Sequence, residues 1–102
     1  MPFWYHIPVP VIPECSGVEF RLTKWLVEEG RGFHAGTPLA IIECQLGRFA
    51  VLANGYGLVG AKLVTSGSSV QMRMPIATAI TDGEAIPYGK PYSLAEPLTD
   101  QV

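Results

Sequence analysis

The sequence is short of charge. Charged residues fill 16% of its 102 positions, where an average soluble domain has about 25%. Scarce charge leaves more of the surface apolar or neutral, which favours an oligomer or a sticky face. The seven basic and nine acidic residues are spread along the chain and leave a net charge of −2. With no basic run or basic helix, a phosphate backbone finds little to neutralise, and nucleic-acid binding is disfavoured. Long apolar runs are missing too. None approaches the roughly 18 residues of a membrane helix, so no membrane partner is expected. The opening MPFWYHIPVPVIP is apolar, but it lacks a basic flank and is broken by Pro2, Pro8, Pro10 and Pro13. It does not read as a signal peptide, and the cytoplasm is the expected compartment. Cysteine is limited to Cys15 and Cys44. Two do not make a disulfide framework or a structural zinc site, and in a reducing compartment they are free thiols.

Helix signal is absent as well. Eleven glycines and nine prolines interrupt the chain every few positions. The best helix-forming composition, Phe20 to Glu29, runs on from Val18-Glu19-Phe20-Arg21-Leu22-Thr23, whose apolar/polar alternation is the strand pattern. Short strands between Gly/Pro turns predict an all-β sandwich or barrel. Strands are expected at Ile7–Val11, Val18–Val27, Pro38–Cys44, Arg48–Leu52, Leu58–Val64 and Pro75–Thr81, with short pairings around Phe33 and Val70. The Pro-rich stretch from Ile86 predicts a division into a sandwich over 1–85 and a strap or loose tail over 86–102.

What the chain does have is an internal repeat. The segment from Trp25, WLVEEGRGFHAGTPLAIIE, aligns without a gap on that from Lys62, KLVTSGSSVQMRMPIATAI, at an offset of 37 residues. Leu26/Leu63, Val27/Val64, Gly30/Gly67, Pro38/Pro75 and Ala40/Ala77 are identical, and Phe33/Val70 and Leu39/Ile76 are conservative. Each copy reads as strand, glycine turn, short strand, proline-led strand. Each exposes an apolar face that it cannot bury alone, so the two pack together as a flattened sandwich with quasi-two-fold symmetry.

These residues resemble the lipoyl/biotinyl-type carrier domains, above all the lipoyl domains of 2-oxo acid dehydrogenase complexes. The matching positions are Trp25, Val27, Gly30, Gly36, Leu39 and Glu43, and the resemblance extends over roughly residues 7 to 81. In that family a Thr-Asp-Lys-Ala turn follows, with the modified lysine at its tip. Here the turn reads Cys44-Gln45-Leu46-Gly47. The family's later small residue and proline stand here as Ala53-Asn54, and its Asp-Gly as Tyr56-Gly57, with the spacing from Leu46 kept. The resemblance implies a lipoyl-like fold. Leucine, however, has no nucleophile to acylate, and Gln45 stands where the ligase usually meets an acid. Lys24, Lys62 and Lys90 lie elsewhere, and the guanidinium of Arg48 stays protonated. No lipoyl or biotinyl cofactor is therefore expected on this degenerate turn.

No catalytic set and no metal set can be assembled. His6 and His34 lack a ligand-spaced partner, Gly55-Tyr56-Gly57 reads as a turn without a following helix or lysine, and Glu28-Glu29 read as solvated carboxylates. Cys44 lies near the carrier position and has two readings: a thiol activated by the Arg48 cation across the turn, or a cysteine packed as a small hydrophobe. Two features point to interaction: Leu46 with Arg48 at a hairpin tip, and the aromatic arm Phe3-Trp4-Tyr5, with Tyr88 and Tyr92 nearby. The leading expectation is a non-enzymatic binding or adaptor protein that has lost carrier function, with a second copy (a homodimer) or another protein as partner. The alternative is a small-molecule or acyl-group binding protein that uses Cys44 or a groove near the aromatics.

Overall fold

Alternation of apolar and polar residues sets the strands. In Phe20–Trp25 the side chains of Phe20 and Leu22 are buried while Arg21 and Lys24 are exposed. A computed structural model describes residues 3–15, 17–82 and 91–98. Among them are β1 (Phe3–Pro8), β2 (Phe20–Trp25), β3 (Gly32–Phe33), β4 (Pro38–Cys44), β5 (Gly47–Ala53), β6 (Gly57–Lys62), β7 (Ser69–Val70), β8 (Pro75–Thr81) and β9 (Ser93–Leu98). A one-turn 3₁₀ helix, Pro13–Cys15, interrupts the link from β1 to β2. The strands form two antiparallel sheets, β1-β8-β6-β3 and β7-β2-β4-β5-β9, packed as an all-β sandwich. No described helix is long and apolar enough to cross a membrane.

The repeat is built into the backbone. Shifting β2, β3 and β4 by 37 residues reproduces the bounds of β6, β7 and β8. The sheet orders match in the same way, with β1 beside β8 as β5 is beside β4. Loop hydrogen bonds recur in pairs. Leu26 N–H donates to Leu39 O and Leu63 N–H to Ile76 O; Gly30 N–H donates to Val59 O and Gly67 N–H to Leu22 O. Each half lends its short strand to the other, β3 to β6 and β7 to β2. Gly30 and Gly67 turn the chain at φ 87° and 92°, which glycine adopts without steric cost.

The interior follows the same symmetry. One apolar cluster holds Ile7, Phe33, Leu39, Ala53, Val59, Ala77 and Ala79. The equivalent positions, Val51, Val70, Ile76, Val9, Leu22, Ala40 and Ile42, all belong to the other cluster. That second cluster is larger. Ile12 and Cys15 enter it from the β1–β2 link, and Phe20 and Phe49 meet edge to face at 6.5 Å. Where the first half has Phe20 and Phe49, the second has Gly57 and Tyr5. The asymmetry of the molecule is thus concentrated at the Cys44 end of one core.

Two elements go beyond the expected strands. The first strand starts at Phe3 rather than Ile7 and ends at Pro8, so the aromatics are part of a sheet. The tail contributes β9, which pairs along β5 from Arg48↔Leu98 to Ala53↔Ser93. Buried Ser93 donates its hydroxyl to Pro8 O at 2.7 Å. This clamps the tail across the first strand, and the tail's Pro97 sits on an edge strand, where a missing N–H is tolerated. Ile86, Tyr88 and Lys90 lie outside the described residues.

Candidate functional site

Gln45 and Leu46 are the two-residue turn of the β4–β5 hairpin, closed by the Cys44↔Gly47 pair. Gly47 takes φ 138°, a value that a residue with a Cβ rarely adopts. Leu46 is 58% exposed at the tip. Behind it Glu43 lies between Arg48 on β5 and Arg21 on β2 in the ladder, an arrangement in which opposite charges attract across strands. Successive strand residues point to opposite faces. Arg48, opposite Glu43, therefore shares Glu43's outer face, while Cys44 packs inward like Ile42 against the larger core. The expected activation of Cys44 by Arg48 across the turn is not what the fold builds.

Cys44 instead meets Cys15. Their Sγ atoms are 3.8 Å apart, and both are free thiols. Leu46 N–H donates to Cys44 Sγ at 3.4 Å. Cys15 is fully buried, and its pKa is raised, first by that burial and then by its hydrogen bond and proximity to Cys44. Sequence separation hid this pairing, because Cys15 sits in a link without periodicity.

The aromatic strand faces both ways. Tyr5 points inward, its hydroxyl donating to Tyr56 O at 3.2 Å and its ring meeting Tyr92 edge-on at 5.4 Å. Burial, followed by the nearby Tyr92 and Tyr56, pushes its pKa up to about 12. Phe3 is exposed at the strand's start, opposite Thr81 as Gly47 is opposite Cys44, so it takes the place in its sheet that the hairpin tip takes in the other. Trp4 points outward, with His6 against its ring at 5.1 Å. The ladder continues Trp4↔Ile80↔Leu58↔Gly32. Trp4, Ile80 and Leu58 are 65%, 41% and 47% exposed, an uncharged apolar row across the whole four-stranded sheet. Beside it a cleft of about 410 Å³ lies among Phe33, Tyr56, Leu58 and Ile80. It opens where Gly57 replaces the Phe20 of the other half. Ile80 and Leu58 were not singled out from sequence; their outward positions in alternating strands were the available signal.

The remaining candidates do not converge. His34 Nδ1 lies 3.0 Å from Ala35 O, and among the described residues no group of three or more His, Cys, Asp or Glu side chains could hold a metal ion. Glu29 is not merely solvated: its Oε2 accepts the Lys62 backbone N–H at 2.9 Å, tying the two halves together.

No family model matches the chain. Over 68 residues it is 37% identical to the pyruvate dehydrogenase E1 component subunit beta of Rhizobium meliloti (strain 1021), a match that takes in 66% of this chain. The matched segment is 15% of that subunit's length, so the similarity is to a small part of a 2-oxo acid dehydrogenase component.

Proposed function

We propose that the chain is a non-enzymatic binding module of a 2-oxo acid dehydrogenase-type assembly, on a lipoyl-like scaffold that no longer carries an acyl group. The observation that supports it most is the exposed row Trp4, Ile80 and Leu58. An aromatic and two aliphatics side by side in one exposed, uncharged row lose water readily to a complementary protein surface. Leu46 at the tip supports the loss of carrier duty, since its side chain cannot form the amide. The partial match to an E1 β subunit supports the setting. Titration of the chain against a pyruvate dehydrogenase E1 component is the test. Binding is expected to weaken at least tenfold when Trp4, Leu58 and Ile80 are all replaced by serine. Equal binding by that variant, or a lipoyl or biotinyl mass on the native chain, would overturn the reading.

A second reading rests on the cleft among Phe33, Tyr56, Leu58 and Ile80. Its apolar walls suit a small hydrophobic ligand. An environment-sensitive apolar dye displaced by Leu58→Trp, with protein binding untouched, would favour it. The version that uses Cys44 as an acyl acceptor is weaker, because that thiol is turned toward Cys15.

A further inference from the structure

We propose that Cys15 and Cys44 are a redox-active pair, oxidised by hydroperoxides to an intramolecular disulfide that fastens the β1–β2 link to the hairpin tip. Three observations carry this. The two Sγ atoms are 3.8 Å apart across 29 residues of sequence, close enough for side-chain rotation to join them. The thiols differ in access: Cys15 is 0% exposed, while Cys44 is only partly buried, beside the exposed turn. The Leu46 N–H donates to Cys44 Sγ at 3.4 Å, which places that sulfur at the base of the exposed turn, where a small oxidant can reach it.

The order of steps follows from access. The Cys44 thiolate attacks the outer oxygen of the hydroperoxide. An S–O bond forms, the O–O bond breaks, and the alkoxide or hydroxide leaves and takes a proton. Cys44 is now a sulfenic acid. The Cys15 sulfur then attacks the Cys44 sulfur. The S–S bond forms, the S–O bond breaks, and hydroxide departs with the Cys15 proton as water. Two thiols and one hydroperoxide give one disulfide, one alcohol (or water) and one water. Burial disfavours the thiolate of Cys15, and Cys44 is the thiol beside the exposed turn, which gives Cys44 the first attack.

The link that carries Cys15 is held by bonds within itself, such as Cys15 N–H to Ile12 O and Val18 N–H to Cys15 O, and by bonds from Val9 and Ile12 to the β7–β8 loop. Oxidation would add a covalent tie between it and the turn that presents Leu46. The sulfur that accepts the Leu46 N–H would then be drawn inward, changing how the tip is held.

The experiment exposes the reduced full chain to a small excess of hydrogen peroxide and reads intact mass, free thiols and melting temperature. Expected are a loss of about 2 Da, which is two hydrogens, with both thiols gone and both recovered on reduction. The oxidised form should melt higher by roughly 10 °C, as expected for a cross-link in a domain of this size. Cys15→Ser should stop at the sulfenic acid and take one dimedone adduct at Cys44, whereas Cys44→Ser should take none. Cys15→Ala serves the same purpose if the serine does not fit its buried site. Two thiols still free after peroxide, only intermolecular dimers, or a dimedone adduct on Cys15 in place of Cys44 would overturn the proposal.

Discussion

Trp25 and Lys62 occupy equivalent places in the two halves and touch each other: the Lys62 ammonium lies 5.4 Å from the centre of the Trp25 ring. In a two-fold arrangement only residues near the axis can meet their own counterparts. The contact therefore marks where the halves join. Trp25 also donates its indole N–H to Val64 O at 3.0 Å, and it packs against both apolar clusters. Sequence alignment of the repeat paired these two residues as a mismatch; the fold makes the mismatch a contact.

Trp25→Phe is expected to cost about 1–2 kcal/mol, from one net hydrogen bond and a partly exposed cation–π contact. Lys62→Gln should cost about 0.5 kcal/mol, and the double variant less than the sum, since both lose the same contact. Urea denaturation measures all three. Strict additivity would mean that the stacked pair contributes nothing beyond its separate parts.

Arg73 sits at φ 70°, where its repeat partner Gly36 sits at 90°. Their N–H groups make equivalent bonds, to Val9 O and Ala53 O. One half has kept the glycine that the left-handed backbone favours, and the other has not. Arg73→Gly is expected to be neutral to stabilising by up to about 1 kcal/mol, as relief of strain outweighs glycine's extra freedom when unfolded. Gly36→Ala should destabilise by about 1 kcal/mol. Thermal melts should place Arg73→Gly at or above the native chain and Gly36→Ala below it; destabilisation by Arg73→Gly would show that the arginine side chain contributes more than the strain.

Much of this was legible in the residues. The offset of 37 residues carried all three strand pairs, because the glycine and proline marks recur with the same spacing as the apolar positions. The fourth strand of each sheet was not legible in that way. β1 takes the place of β5 in the symmetry yet lies at the opposite end of the sequence from where the repeat would put it, so no alignment at a single offset finds it. β9 was hidden by its proline. The nearness of Cys15 to Cys44, and of Trp4 to Leu58, depends on strand pairing between distant segments, which periodicity alone does not specify.

Tyr5 gives the fold a dependence on alkaline pH. Its pKa is raised from 10.0 to about 12 by burial and by Tyr92 and Tyr56. Its hydroxyl must keep its proton to donate to Tyr56 O. The unfolded chain releases that proton near pH 10 and the folded one only near 12, so across this window the folded state binds more protons and stability falls as pH rises. Below pH 10 the contribution is complete. Tyr5→Phe should melt lower than the native chain at pH 8 and lose less on going to pH 11. Identical pH profiles for the two proteins would remove Tyr5 from the cause.

The hairpin tip allows the lost carrier reading to be tested by restoring it. Leu46 is exposed and its side chain is away from both apolar clusters, so Leu46→Lys should change stability by no more than about 0.5 kcal/mol. The new amine would stand at the end of a two-residue turn, free to reach an activated acyl group. Gln45→Asp would add the acid that accompanies the lysine in the carrier domains this chain resembles. With a lipoate–protein ligase, lipoate and ATP, the native chain should stay unmodified, the single variant gain some lipoyl mass and the double variant more. A well-folded double variant that stays unmodified, while a true lipoyl domain in the same mixture is modified, would count against a lipoyl-type turn. The divergence would then extend to the surface that a ligase must grip, around Glu43 and Arg48, and not only to the side chain at the tip.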